Sequence, residues 1–172
     1  MKKIVIKYVI VFSAAFLLVA SANAQLKKPG ITLGANFVYS MPKGDFRDQY
    51  KFGAGGELYA GVGLGSTYLV GTVGMTSYKD ESSNEAGTLT YIPVKLGLKK
   101  YFFLKKIFAQ GDVGVATIKV QGISESDFTA GIGAGVRLLG LEAGLYSSTW
   151  KYSDKKGYAN SLNAKIGYSF SL

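Results

Sequence analysis

The chain has 172 residues, with 20 Lys and Arg against 11 Asp and Glu, a formal net charge of +9, and neither His nor Cys. Those two absences exclude Ser–His and Cys–His nucleophilic pairs, the usual zinc ligands and any disulfide. With 23 Gly, 12 Tyr and 10 Phe but three Pro, and no long amphipathic helical repeat past the start, the composition points to an all-β protein.

Residues 1–24 read as an export signal. Lys2, Lys3 and Lys7 make a positive start, Tyr8 to Ala20 is an apolar run broken only by Ser13, and Ala22-Asn23-Ala24 offers a small-residue cleavage site before Gln25. The run is shorter than the roughly 20 residues of a membrane-spanning helix. Cleavage leaves residues 25–172 as one domain of net charge +6, with no cysteine for lipid attachment.

Eight segments then alternate with a period of two, the mark of strands with one apolar face. Ile31–Ser40 sets Ile31, Leu33, Phe37 and Tyr39 against Thr32, Asn36 and Ser40. Ala54–Leu64 sets Leu58 and Val62 against Glu57 and Tyr59. Thr67–Tyr78 is the least regular, with Leu69, Val73 and Met75 assigned outward and Thr72, Gly74 and Thr76 inward. Thr88–Lys100 opposes Val94, Leu96 and Leu98 to Lys95, Gly97 and Lys99; Ile107–Val120 opposes Val113 and Val115 to Gln110, Asp112 and Gly114. In the sixth segment Phe128, Ile132, Val136 and Leu138 alternate with Thr129, three glycines and Arg137. Leu141–Trp150 opposes Leu141 and Leu145 to Glu142 and Tyr146. Ala159–Leu172 closes the series, with Leu162, Ala164, Ile166, Tyr168, Phe170 and Leu172 on one face.

Several segments exceed the five or six residues of an ordinary globular strand and suit a tilted membrane strand of about 9 to 11. The connections predict long loops at 41–52, 79–87, 121–127 and 151–158, and short turns at 65–66, 103–106 and 139–140. Long and short connections sorted to opposite ends are the outer-membrane barrel arrangement, whereas Greek-key crossings give no such sorting.

This phase turns Glu57, Lys95, Lys99, Asp112, Arg137, Glu142 and Lys165 inward. An eight-stranded barrel is only wide enough to be filled by side chains, so these charges are expected to pair. Arg137 with Glu142 across the 139–140 turn, and Lys95 with Asp112, are the expected pairs. The network reads as a polar plug or as an ion path, and the plug is the simpler account. Gly131, Gly133 and Gly135 share the inward face; they lack the spacing of a nucleotide-binding loop and leave room for long lumen side chains.

Aromatics at strand ends, namely Tyr39, Tyr78, Tyr101, Phe102, Phe103, Trp150, Tyr152 and Tyr158, suggest girdles at headgroup level. Lys27, Lys28, Lys99, Lys100, Lys105 and Lys106 are expected to meet anionic headgroups at the periplasmic end, and Lys151, Lys155 and Lys156 lipopolysaccharide phosphates at the other. Acids at Asp45, Asp48, Asp80, Glu81 and Glu85 carry no fixed geometry. No cofactor, metal site or nucleic-acid partner is expected.

The last residues, Lys165-Ile-Gly167-Tyr-Ser-Phe170-Ser-Leu172, resemble the C-terminal assembly signal of outer-membrane barrels, with Leu172 in place of the commoner Phe. Pro42-Lys-Gly44-Asp-Phe46 with Tyr50 and Gly53-Ala-Gly55, then Tyr91-Ile-Pro93-Val and Lys99-Lys-Tyr-Phe102, are similar to the small porin-family outer membrane protein β-barrel domain. At this size the resemblance implies a closed OmpA- or OmpX-like barrel, outer-membrane lipids and lipopolysaccharide as surroundings, and the barrel-insertion machinery as partner during assembly.

The expectation is therefore an all-β, eight-stranded antiparallel up-and-down transmembrane barrel in the outer membrane of a Gram-negative (diderm) bacterium. It is expected to be non-enzymatic, with a structural or adhesion-like role. A narrow channel for small solutes or ions is the alternative. A lipid-modifying barrel enzyme lacks its usual His, and a soluble ligand-binding barrel would want an apolar lumen.

Overall fold

The computed structural model of the chain describes residues 29–80, 88–120, 122–152 and 157–171. The expected export signal, and with it Lys27, Lys28, Glu81, Glu85, Lys155, Lys156 and Leu172, lies outside the described residues.

Eight strands follow in order: β1 (Pro29–Lys43), β2 (Tyr50–Leu64), β3 (Thr67–Asp80), β4 (Leu89–Phe102), β5 (Ile107–Val120), β6 (Ile123–Leu138), β7 (Leu141–Tyr152) and β8 (Gly157–Ser171). Each pairs antiparallel with its neighbour in sequence. β8 returns to β1, from Thr32↔Ser171 to Lys43↔Asn160, so the sheet is a closed barrel without a free edge along its shared length. The expected eight-stranded up-and-down architecture is the one observed. The turns at 65–66, 103–106 and 139–140 lie at the end where β1 begins and β8 stops, here the termini end; the other connections lie at the loop end.

The alternation has the expected phase on every strand. Phe37, Leu58, Val73, Leu96, Val113, Ile132, Leu145 and Ile166, one from each strand, are exposed on the outside, while Thr32, Glu57, Thr72, Lys95, Asp112, Thr129, Tyr146 and Lys165 are buried inside. Side chains on a strand take opposite faces in turn, so one outward hydrophobe sets the face of the whole segment.

Two sequence expectations fail, each for a local reason. The segment expected as loop at 121–127 is strand from Ile123 on: β6 begins there, paired with Val120. Gly122 has φ 85°, which lets the chain reverse there. The stretch Ser124-Glu-Ser-Asp127 is polar on both faces and so carries no strand alternation. The β5–β6 hairpin overhangs the barrel: β6 joins β7 only from Thr129↔Trp150 onward. Long and short connections therefore do not alternate strictly.

The second is the 41–52 loop, since β1 runs on to Lys43 and β2 already begins at Tyr50. Between Tyr50 and Gly53 the β2–β3 register shifts, a bulge that inserts one residue and reverses the facing of the chain above it. Tyr50, off the phase set by Glu57 and Tyr59, is thereby buried in the lumen.

Candidate functional site

The lumen holds the chemistry of this chain. From the loop end inward come an aromatic cluster, a layer of ion pairs and a second aromatic cluster.

The middle layer is built by β2, β4, β5 and β8. Lys165 Nζ donates to Glu57 Oε2 at 2.5 Å, from strands that are not neighbours but are separated by β1. Lys95 Nζ lies 3.2 Å from Asp112 Oδ1 and 3.8 Å from Glu57 Oε1, so Glu57 is shared between two lysines. Lys95 is level with Gly114, and Gly97 with Asp112, so the Lys95–Asp112 contact runs diagonally across β4 and β5. Gln110 donates from Nε2 to Asp112 Oδ2 at 3.2 Å.

Nearer the termini end, Glu142 collects donors from around the barrel. Lys99 Nζ lies at 2.5 Å, Tyr59 Oη at 2.8 Å and Tyr101 Oη at 2.7 Å. The ammonium of Lys99 also sits 4.6 Å from the Tyr59 ring centroid and 4.3 Å from that of Phe108, within cation–π range. Arg137, level with Glu142 across the turn, reaches it at only 3.8 Å from Nε. Its Nη2 donates instead to the Ser169 carbonyl at 3.3 Å and to Ser171 Oγ at 3.1 Å, at the rim. Three lumen lysines thus face three carboxylates, and each charge has an opposite within 4 Å. A buried charge needs such a partner or it costs several kcal/mol, about 3–5 when one member of a pair is removed.

The two aromatic clusters cap this layer. Tyr59, Tyr68, Val70, Tyr101, Phe108 and Tyr146 fill the termini end. At the loop end Tyr50, Tyr78, Leu89, Tyr91 and Trp150 gather around Phe46, which a short 3-10 turn at Gly44–Phe46 delivers from the β1–β2 connection. Tyr78 Oη and Ser40 Oγ lie 2.7 Å apart, as do Tyr91 Oη and Thr129 Oγ1, so these phenols are satisfied although buried.

Tyr78, Tyr101 and Trp150 are therefore lumen residues and not members of an outer girdle. Their parity already placed them inward, with Thr76, Lys99 and Ser148; position at a strand end was the weaker signal. Tyr39, Phe102, Phe103 and Tyr158 are exposed on the outside. Lys99, 1% exposed, cannot meet a headgroup, whereas Lys100, Lys105, Lys106 and Lys151 are exposed. The inward glycines of β6 make room for rings more than for lysines: a Cβ on Gly133 would strike the Tyr146 ring, and one on Gly135 would come within 2.6 Å of Phe108.

Of the residues expected to form the assembly signal, Lys165 and Gly167 face the lumen side of β8 and Phe170 is exposed on the outside; Leu172 is outside the described residues. Among the described residues no three His, Cys, Asp or Glu side chains gather where they could hold a metal ion.

Neither a protein-family model nor a curated sequence matches the chain. Solved structures do. Ail, the attachment invasion locus protein of Yersinia pestis, crystallised with the heparin analogue sucrose octasulfate, is 17% identical with a TM-score of 0.54, covering 84% of this chain and 100% of that one. The N-terminal β-barrel domain of Pseudomonas aeruginosa OprF is 12% identical with a TM-score of 0.55, covering 81% of this chain and 97% of that one. Neisserial surface protein A is 11% identical with a TM-score of 0.51, covering 84% of this chain and 96% of that one. At such identities the likeness is one of fold: this chain shares the small closed β-barrel.

Proposed function

We propose that this chain is an integral outer-membrane protein of a Gram-negative (diderm) bacterium, with a structural or adhesion-like surface role and a lumen that does not conduct. The observation that carries the proposal is the inverted distribution of its side chains. Charges and phenols are buried inside, and large hydrophobes are exposed on all eight strands outside. In water so extensive an apolar surface would drive aggregation; in a bilayer it is matched to its solvent, and the closed ladder leaves no strand edge in hydrocarbon.

Residues 1–24 serve as the export signal, and residues 25–172 are delivered to the membrane. Lys165, Gly167, Phe170 and Leu172 form the strand the insertion machinery reads. Lipids and lipopolysaccharide surround the belt, with Lys100, Lys105 and Lys106 near one headgroup layer and Lys151 near the other. The adhesion-like role draws support from Ail, whose name describes attachment and invasion. Catalysis has no place in the proposal, since the chain lacks His and Cys and its lumen acids are already engaged by lysines.

Planar-bilayer recording of the refolded protein tests the closed lumen. Only baseline current is expected; steady open-channel steps would overturn the closed reading in favour of a narrow channel.

A further inference from the structure

The loop end of the lumen contains two buried polar atoms with no hydrogen-bond partner among the described residues: the indole Nε1 of Trp150 and Oδ2 of Asp127. Trp150 is 1% exposed, so its N–H has left water without replacement. The two residues belong to one place. Trp150 is level with Thr129 across β6 and β7, and Asp127 is the next residue on the same face of β6, one step nearer the mouth.

Rings line this place. Tyr91 lies 4.6 Å from Trp150 between centroids, inclined by 34°, and Tyr78 lies at 6.1 Å. Those three sit on barrel strands. Against them sits Phe46, edge-on to Trp150 at 5.2 Å and to Tyr78 at 5.1 Å, with Tyr50 of β2 on its other side at 5.0 Å. Phe46 is not on a strand. It sits on the 3-10 turn, held locally by Arg47 N–H to Gly44 O at 2.9 Å and a longer Gln49 N–H to Phe46 O at 3.4 Å. Residues 44–49 hold no ladder pair, so Phe46 can move without breaking the barrel's strand pairing.

We propose that this end of the lumen is a binding site for a pyranose ring, which the chain fills with its own Phe46 when no sugar is bound. The chemistry of the vacant partners selects the class. The hydroxyl groups of a sugar can accept from the Trp150 N–H and donate to the Asp127 carboxylate. The C–H face of a pyranose packs on indole and phenol rings, which Phe46 meets edge-on. A purely apolar ring would leave the N–H unpaired. An organic cation would suit Asp127 and the ring faces but offers the N–H no acceptor. The proposal takes from the outer-membrane reading only the direction from which the sugar arrives; binding by purified protein does not depend on it.

Trp150 is the single tryptophan of the chain, so indole fluorescence reports on this site alone. The full-length protein, refolded in zwitterionic micelles free of glycoside detergent, is titrated with methyl glucoside, with N-acetylglucosamine and with phenyltrimethylammonium. A saturable response to at least one sugar is expected, at least tenfold tighter in Phe46→Ala, where the internal occupant is gone, and at least tenfold weaker in Asp127→Ala. Phe46→Leu, which keeps an apolar side chain on the turn, serves if the alanine variant does not fold by heat-modifiable gel mobility. No saturable response to either sugar in wild type and the Phe46 variant would overturn the proposal, as would a response to the cation alone, or sugar binding indifferent to both substitutions.

Discussion

Lys99 stands between Leu98 and Lys100, both on the outer face, yet its own ammonium lies in the lumen against Glu142 at 2.5 Å. Parity in the strand places it there; the carboxylate that receives it comes from β7, across the lumen. Lys99→Met should cost about 3–5 kcal/mol, because Glu142 keeps its charge with Arg137 only at 3.8 Å. Adding Glu142→Gln should recover much of that loss, since the two substitutions act on one interaction. Urea unfolding in lipid vesicles measures both; a single-variant cost below about 1 kcal/mol would mean that water, not the protein, neutralises Glu142. The inward facing of Glu57, Lys95, Asp112, Glu142 and Lys165 was legible in the sequence. That Lys99 and not Arg137 sits closest to Glu142 was not, because a pair spanning the lumen depends on how the strands are staggered around the barrel.

At the scale of the element, β6 carries two environments along one face. Ile132 and Ser124 both take the outward parity, eight residues apart in sequence, but Ile132 lies on the closed wall and Ser124 on the overhanging hairpin. Ile132→Lys should destabilise by about 2–4 kcal/mol if lipid covers that position near the bilayer middle. Ser124→Lys should change stability by no more than about 0.5 kcal/mol, as for an ordinary wet surface. Refolding into vesicles under a urea series compares the two, and equal costs would contradict a lipid-covered wall. Residues 123–127 escaped the sequence reading because alternation is written only where the two faces of a strand meet different solvents. Beyond the closed wall both faces are wet, and the strand continues by its ladder with β5 alone. Phe46 and Tyr50 escaped for a related reason: a 3-10 turn and a bulge each break the count of two by which a face is read.

The whole molecule closes through β8, whose ladder to β1 runs from Ser171 to Asn160. Removing Phe170 to Leu172 takes away an outward aromatic, part of the last closing pairs and the proposed assembly signal together. It should lower outer-membrane levels far more than shortening the connection at 151–158, which lies at the opposite end of the barrel from Phe170 and Ser171. Cell fractionation with heat-modifiable mobility of the membrane fraction compares the two variants, and comparable levels would refute the role given to the C-terminal strand. The sequence by itself determined the class of architecture, the number of strands, the face of nearly every strand residue and the charged nature of the lumen. It could do so because facing is a local property, set by the strand's period and by the contrast between its two solvents. Only the tertiary structure decided which charges meet, where the strands outrun the barrel, and that Phe46 closes the ring of Trp150, Tyr78 and Tyr91. Those follow from closure, stagger and bulge, which bring together residues from strands far apart in the chain and leave no periodic trace in any one of them.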